Sequence, residues 1–168
     1  KACDQIVGVN PSKTVVMLRL LMHMGQLIQS HALNFFHLSS PDLLLGFDSD
    51  PTQRNIFGLI EKNPELAKRG IRLRKFGQEI IEKVAGKKIH SSEWVLPGGA
   101  KWPLTKERAD YLRSYLPEAL DATQKTLEMW KHMLDDLKDE VDHFGNFQTY
   151  YMSQVTPDGG LEHYDGKI

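Results

Sequence analysis

Arg19, His23, Gln26, Ser30, Asn34 and His37 follow one another at steps of three or four residues, and Asp42 stands five beyond His37. On a helix such steps line the six side chains along one side. The set offers a guanidinium, two imidazoles, two amides and a hydroxyl, with a carboxylate at its end. Groups of this kind hold a hydrogen-bond network or line the wall of a site. Between them most residues are Val, Leu, Met, Ile or Phe. A surface helix carries one apolar stripe on a polar rod, and here the proportions are reversed. The pattern predicts a buried central helix. Its polar strip then meets either satisfied core partners, with histidines serving the packing, or the wall of a site.

Several elements must position these residues. Asn10-Pro11-Ser12 reads as a turn and helix start, and no proline interrupts the chain from there to Pro41. The apolar runs fall well short of the roughly 20 residues that a bilayer span needs. Lys1 to Val7 reads as the tail of a helix closed by Gly8. Asp48 and Asp50 lie in a polar loop that lacks the glycine and closing glutamate of a calcium loop, so they read as turn and cap residues. A short helix covers Asn55 to Glu61. Asn63-Pro64-Glu65 then opens a long one that ends at Gly86, with Leu66, Leu73, Ile80 and Val84 inward. Gly70 and Gly77 on that same face predict close approach of a second helix. Residues 87–104 read as irregular or short-strand, with a tight turn at Pro97-Gly98-Gly99. Thr105 caps the next helix, whose Ala109, Leu112 and Leu116 point inward, and Pro117 kinks or restarts it. Beyond it Leu120, Thr123, Leu127, Trp130, Leu134, Leu137 and Val141 form a bundle-type seam. Thr149–Val155 and Leu161–Ile168 read as paired strands around a turn.

The fold class is therefore mainly α, with long buried helices in a bundle and a small β-hairpin near the C-terminal end. One domain spans residues 1–168, with helices at about 12–40, 64–86 and 105–142 and the hairpin at about 149–168. Lys plus Arg number 21 and Asp plus Glu 22, which removes the electrostatic case for nucleic acid or an anionic membrane. The basic residues Lys68, Arg69, Arg72, Arg74 and Lys75 spread around their helix without an aromatic platform, as on a solvated or subunit-facing surface. A single cysteine, Cys3, excludes an internal disulfide and is expected to be a small buried residue. The chain starts at Lys1 and stops at Ile168 inside an expected strand, as a segment of a longer polypeptide would.

The pattern His37-Leu38-x-x-x-Asp42, behind Phe35-Phe36, resembles the large subunit of nickel–iron hydrogenases. Gln29-Ser30-His31-Ala32 and Pro41-Asp42-Leu43-Leu44 are similar to the bidirectional, NAD-linked class. Lys1-Ala2-Cys3-Asp4 and the His90 to Gly99 loop are two further anchors in the right order. The resemblance implies a role for Asp42 beside the metal site, pairing with a catalytic arginine that lies outside this chain, with His37, Asn34 and His23 in support. It places His90 toward an iron–sulfur small subunit. The family often has proline after that histidine, whereas this chain has Ser91. The cofactors implied are a nickel–iron centre and the iron–sulfur clusters of the partner. The two cysteine pairs that hold the metals are absent, so no metal ligand is expected in this chain and the segment alone is expected to be inactive. Hydrogen is the implied substrate, a diaphorase module a further partner, NAD the acceptor, and the cytoplasm the location. Two other readings remain open. One is a metal-free, quinone-facing relative of the respiratory complex I type. The other is a stand-alone helical interaction module using the Leu120–Val141 seam.

Overall fold

Helix α1, Ala2–Val7, stops at Gly8, whose φ of 73° is the left-handed cap that glycine adopts without strain. Ser12 then starts α2, Lys13–Leu33, its hydroxyl accepting the Val15 N–H at 3.4 Å. This computed structural model describes all 168 residues, the side chain of Ser92 excepted. The chain divides into two compact units, Lys1–Met129 and Trp130–Ile168.

In the first unit α2 passes into a π-helical stretch, Asn34–Ser39, and then into α3, Ser40–Leu45. The Ser40 N–H donates to Phe35 O, five residues back. Pro41 explains the wide turn. It has no N–H to offer, and its ring would collide with the carbonyl four residues earlier in a regular helix. Asn55 caps α4, Ile56–Lys62, by accepting from Phe57 and Gly58 at 2.8 and 3.2 Å. Asn63 caps α5, Pro64–Ala85, through the Leu66 N–H at 3.2 Å, and Gly86 closes it at φ 81°.

Helices α2 and α5 pack directly on one another. The contact depends on missing side chains. A Cβ on Gly77 would lie 2.6 Å from both Gly25 O and Gln29 N, so the backbones touch where any larger residue would separate them. Around this contact lie three apolar clusters, built on Phe36, Leu59 and Leu66, on Phe76, Ile80 and Leu112, and on Val84, Ala85 and Trp94. Trp94 is fully buried, and its Nε1–H donates to Trp102 O at 3.0 Å, so the irregular segment after α5 is pinned to the core. Next to it β1, Val95–Leu96, pairs antiparallel with β2, Gly99–Ala100. Pro97 and Gly98 make the turn between them, Gly98 taking the positive φ of 68°.

Four expectations change here. Helix α2 is enclosed on one side only. Its buried residues are Arg19, Gly25 and Ala32, whereas Leu18, Leu21, Met22 and Ile28 are half-buried and Met17 is exposed. Helix α6, Lys106–Asp136, continues through Pro117 and presents a different face from the expected seam. Ala119, Ala122 and Met129 meet the core, while Leu116, Leu120 and Leu127 are about half exposed, at 45%, 60% and 50%. Small alanines let a helix lie close to its neighbour, and the larger leucines are displaced outward. Cys3 is exposed rather than buried, because α1 turns its other side, with Asp4, inward. The named strands lie at residues 95–100. In the C-terminal segment, antiparallel pairing is limited to bridges from Val155 to Leu161 and to Lys167.

The second unit holds the end of α6, a short α7, Lys138–His143, and this C-terminal segment. Thr156 organises its turn, with its N–H donating to Gly160 O at 2.8 Å and its hydroxyl accepting the Gly160 N–H at 2.9 Å. Val141, Phe144, Phe147, Tyr150, Tyr151 and Met152 are exposed. Among the described residues no helix is long and apolar enough to cross a membrane.

Candidate functional site along the central helix

The polar strip of α2 does not meet one environment. At its start Arg19 is buried in a clamp that joins three segments. Its Nη1 meets Asp4 Oδ2 at 2.5 Å, and its Nη2 donates to Leu96 O at 2.8 Å and Gly99 O at 2.9 Å. Asp4 completes the ring by accepting the Gly98 N–H at 2.7 Å. The Arg19 guanidinium, then the Gly98 N–H, hold the Asp4 carboxyl down at about 2, against a desolvation that pushes the other way. Both charges are therefore present at neutral pH, and each satisfies the other in a site with little water. Sequence reasoning had Arg19 but not Asp4, whose partners lie 15 and 94 residues away. The available signal was an aspartate on a short helix whose other residues, Gln5 apart, are apolar, in a chain that also carries a Pro-Gly-Gly turn.

The middle of the strip opens into a groove of about 500 Å³ between α2, α5 and the segment after Gly86. His23, Gln26 and Ser30 line it from α2, Arg74 from α5, and Lys88 and His90 from the connection. The structure thus brings His23 and His90 to one surface. His90 is exposed and holds a positive φ of 55°, uncommon for a residue with a Cβ. Lys88 also reaches Glu82 at 3.9 Å.

At its far end the strip enters the π turn. Asn34 is exposed, and its Oδ1 accepts from Ser39 Oγ at 3.2 Å. His37 is half-buried, and its Nδ1 is enclosed without a hydrogen-bond partner among the described residues, as is Ser40 Oγ. Buried polar atoms left unsatisfied are uncommon, and Arg19 Nε and Trp102 Nε1 are two more among the described residues. Asp42 follows on α3 with its side chain 47% exposed, and its Oδ1 lies 3.3 Å from Arg54 Nε. Arg54 also donates to Phe47 O, which fixes the guanidinium between α3 and α4. The Asp42–Arg54 pair was not anticipated. Arg54 lies in a loop of turn-forming residues that gave no helical pattern.

Among the described residues no group of three or more His, Cys, Asp or Glu stands together as a metal would require. The single cysteine lies at the surface of α1. A nickel–iron centre takes soft thiolate ligands, and the residues present do not form such a set. What the arrangement can do is orient: a clamp fixes the start of α2, a groove presents two imidazoles and two cations, and a widened turn aims His37 and Asp42.

Comparison with known proteins gives the class first: the homologues of this chain are hydrogenase subunits. No family model matches the chain. One of these homologues, from the F420-non-reducing hydrogenase vhu of Methanocaldococcus jannaschii, is 41% identical over 168 residues, covering 100% of this chain and 40% of that protein. The beta subunit of the NAD-reducing hydrogenase HoxS of Cupriavidus necator is 36% identical over 180 residues, covering 100% of this chain and 37% of that protein. A crystal structure of an NAD+-reducing NiFe-hydrogenase in the H2-reduced state superposes with a TM-score of 0.92 at 44% identity, covering 99% of this chain and 37% of that one. The chain thus spans well under half the length of these relatives.

Proposed function

We propose that this chain is the part of a nickel–iron hydrogenase large subunit that orders the surroundings of the catalytic centre. The observation that carries the reading is the π turn. It sets a histidine with an enclosed, unpartnered Nδ1 and an arginine-paired carboxylate on neighbouring turns, in a chain homologous to hydrogenase subunits along its whole length. A residue that orients others needs such a rigid support, because small misplacements cost catalysis more than stability.

The nickel–iron centre, held by residues outside this chain, supplies the hydrogen chemistry. Asp42 positions a guanidinium through its carboxylate. His37, Asn34 and His23 support it, and His90 faces an iron–sulfur small subunit. That subunit's clusters and a diaphorase module would carry the electrons toward NAD, in the cytoplasm. The 168-residue chain by itself is inactive.

In the complete complex, Asp42→Ala should lower hydrogen-dependent dye reduction at least about tenfold while changing stability by less than about 1 kcal/mol, since an exposed ion pair contributes little to folding. The two measurements are turnover and the thermal midpoint of the same preparation. Full turnover without the carboxylate refutes the positioning role.

A further inference from the structure

We propose that the groove between α2, α5 and the segment after Gly86 seats an acidic segment of a partner polypeptide. This rests on the reading above that His90 faces a partner subunit, and it adds the chemistry that partner must present. The groove's charge is one-sided. Arg74 and Lys88 line it, together with His23 and His90, and no carboxylate is among the described lining residues. The chain as a whole is balanced, at a formal net charge of −1, so this surface departs from the average.

A second groove, of about 540 Å³ between α5 and α6, shows the contrast. Its five Lys and Arg residues are matched by four Asp and Glu residues, and Arg72 is paired with Glu118 at 2.6 Å. There the protein neutralises itself. In the first groove Lys88 touches Glu82 only at 3.9 Å, and Ser30 and Gln78 add neutral hydrogen-bonding groups. Ile89, 60% exposed, lines the same groove and offers an apolar anchor beside the cations. Cations flanking an apolar contact fit a segment whose carboxylates bracket an aliphatic side chain. His90, at the edge of the groove, takes a positive φ of 55°, which bends the connecting segment beside it.

The test uses the full chain and a fluorescein-labelled peptide in which glutamates flank a central leucine pair, read by fluorescence anisotropy. The peptide should bind, and Arg74→Gln with Lys88→Gln should weaken binding about tenfold or more. Lys125→Gln, in the self-neutralised groove, should leave binding unchanged. Lys88→Gln alone, at an exposed site, gives a smaller loss in the same direction and covers the case in which the Arg74 change disturbs α5. Three results overturn the proposal: affinity unchanged by the groove substitutions, equal binding of a peptide with lysine in place of glutamate, or complete displacement by inorganic phosphate, which would mark a small-anion site. Dye reduction by the complete complex tests the hydrogenase reading separately. Activity there with no peptide binding here removes only the groove assignment.

Discussion

Asp4 and Arg19 show how much one pair of residues can organise. The clamp ties α1 and α2 to the hairpin, and the carboxyl group's depressed pKa links this contact to pH. The ionised form is favoured by folding, so its contribution is fully present above the ordinary value of 3.8. It is lost as pH falls from there toward about 2. Asp4→Asn should therefore lower the urea midpoint at neutral pH and flatten its fall over that acid range. An unchanged acid slope would show that other carboxylates carry the transition. Arg19→Met, which removes the charge but keeps the bulk, should harm stability more than Arg19→Met combined with Asp4→Leu, because the single change strands a buried carboxylate. A double-mutant cycle measures the difference.

At the scale of the element, the α2–α5 contact and the inner face of α6 make opposite demands on side-chain size. Gly→Ala within a helix ordinarily gains about 1 kcal/mol. At Gly77 the new Cβ would meet backbone atoms of α2 at 2.6 Å, and backbone cannot rotate away. Gly77→Ala should therefore destabilise by about 1–3 kcal/mol or more, with the sign set by overpacking rather than propensity. A chemical denaturation curve decides it, and a stabilised variant would contradict the packing. On α6, Leu120→Ala should cost under about 0.5 kcal/mol, whereas Leu66→Ala should cost about 2–5 kcal/mol. Equal losses would mean that Leu120 is buried after all.

For the whole molecule, apolar burial is uneven. Leu59, Leu66, Val84 and Trp94 are at most 2% exposed, while Phe144, Phe147, Tyr150, Tyr151 and Met152 lie open at 67% or more. Backbone amides of α5 should exchange with solvent slowest, and those of residues 144–154 fastest, because opening energy follows the contacts that must be broken. Strong protection in residues 144–154 of the isolated chain would overturn this gradient.

The sequence by itself determined what depends on neighbours along the chain. The helix start at Ser12 and the cap at Asn63, the closures at Gly8 and Gly86, and the Pro-Gly turn were legible because each is a local backbone requirement met by a particular residue type. The inner face of α5 was legible for a related reason, since its leucines and glycines repeat at the helical period. Tertiary structure alone decided which face of α6 is inward, because leucine and alanine seams have the same period and only the distance to a neighbouring helix selects between them. It also decided that Asp4 belongs to Arg19, that His23 and His90 share a groove, and that Asp42 meets Arg54. These partners are remote in the chain, and a long-range contact leaves no trace in the spacing of either residue.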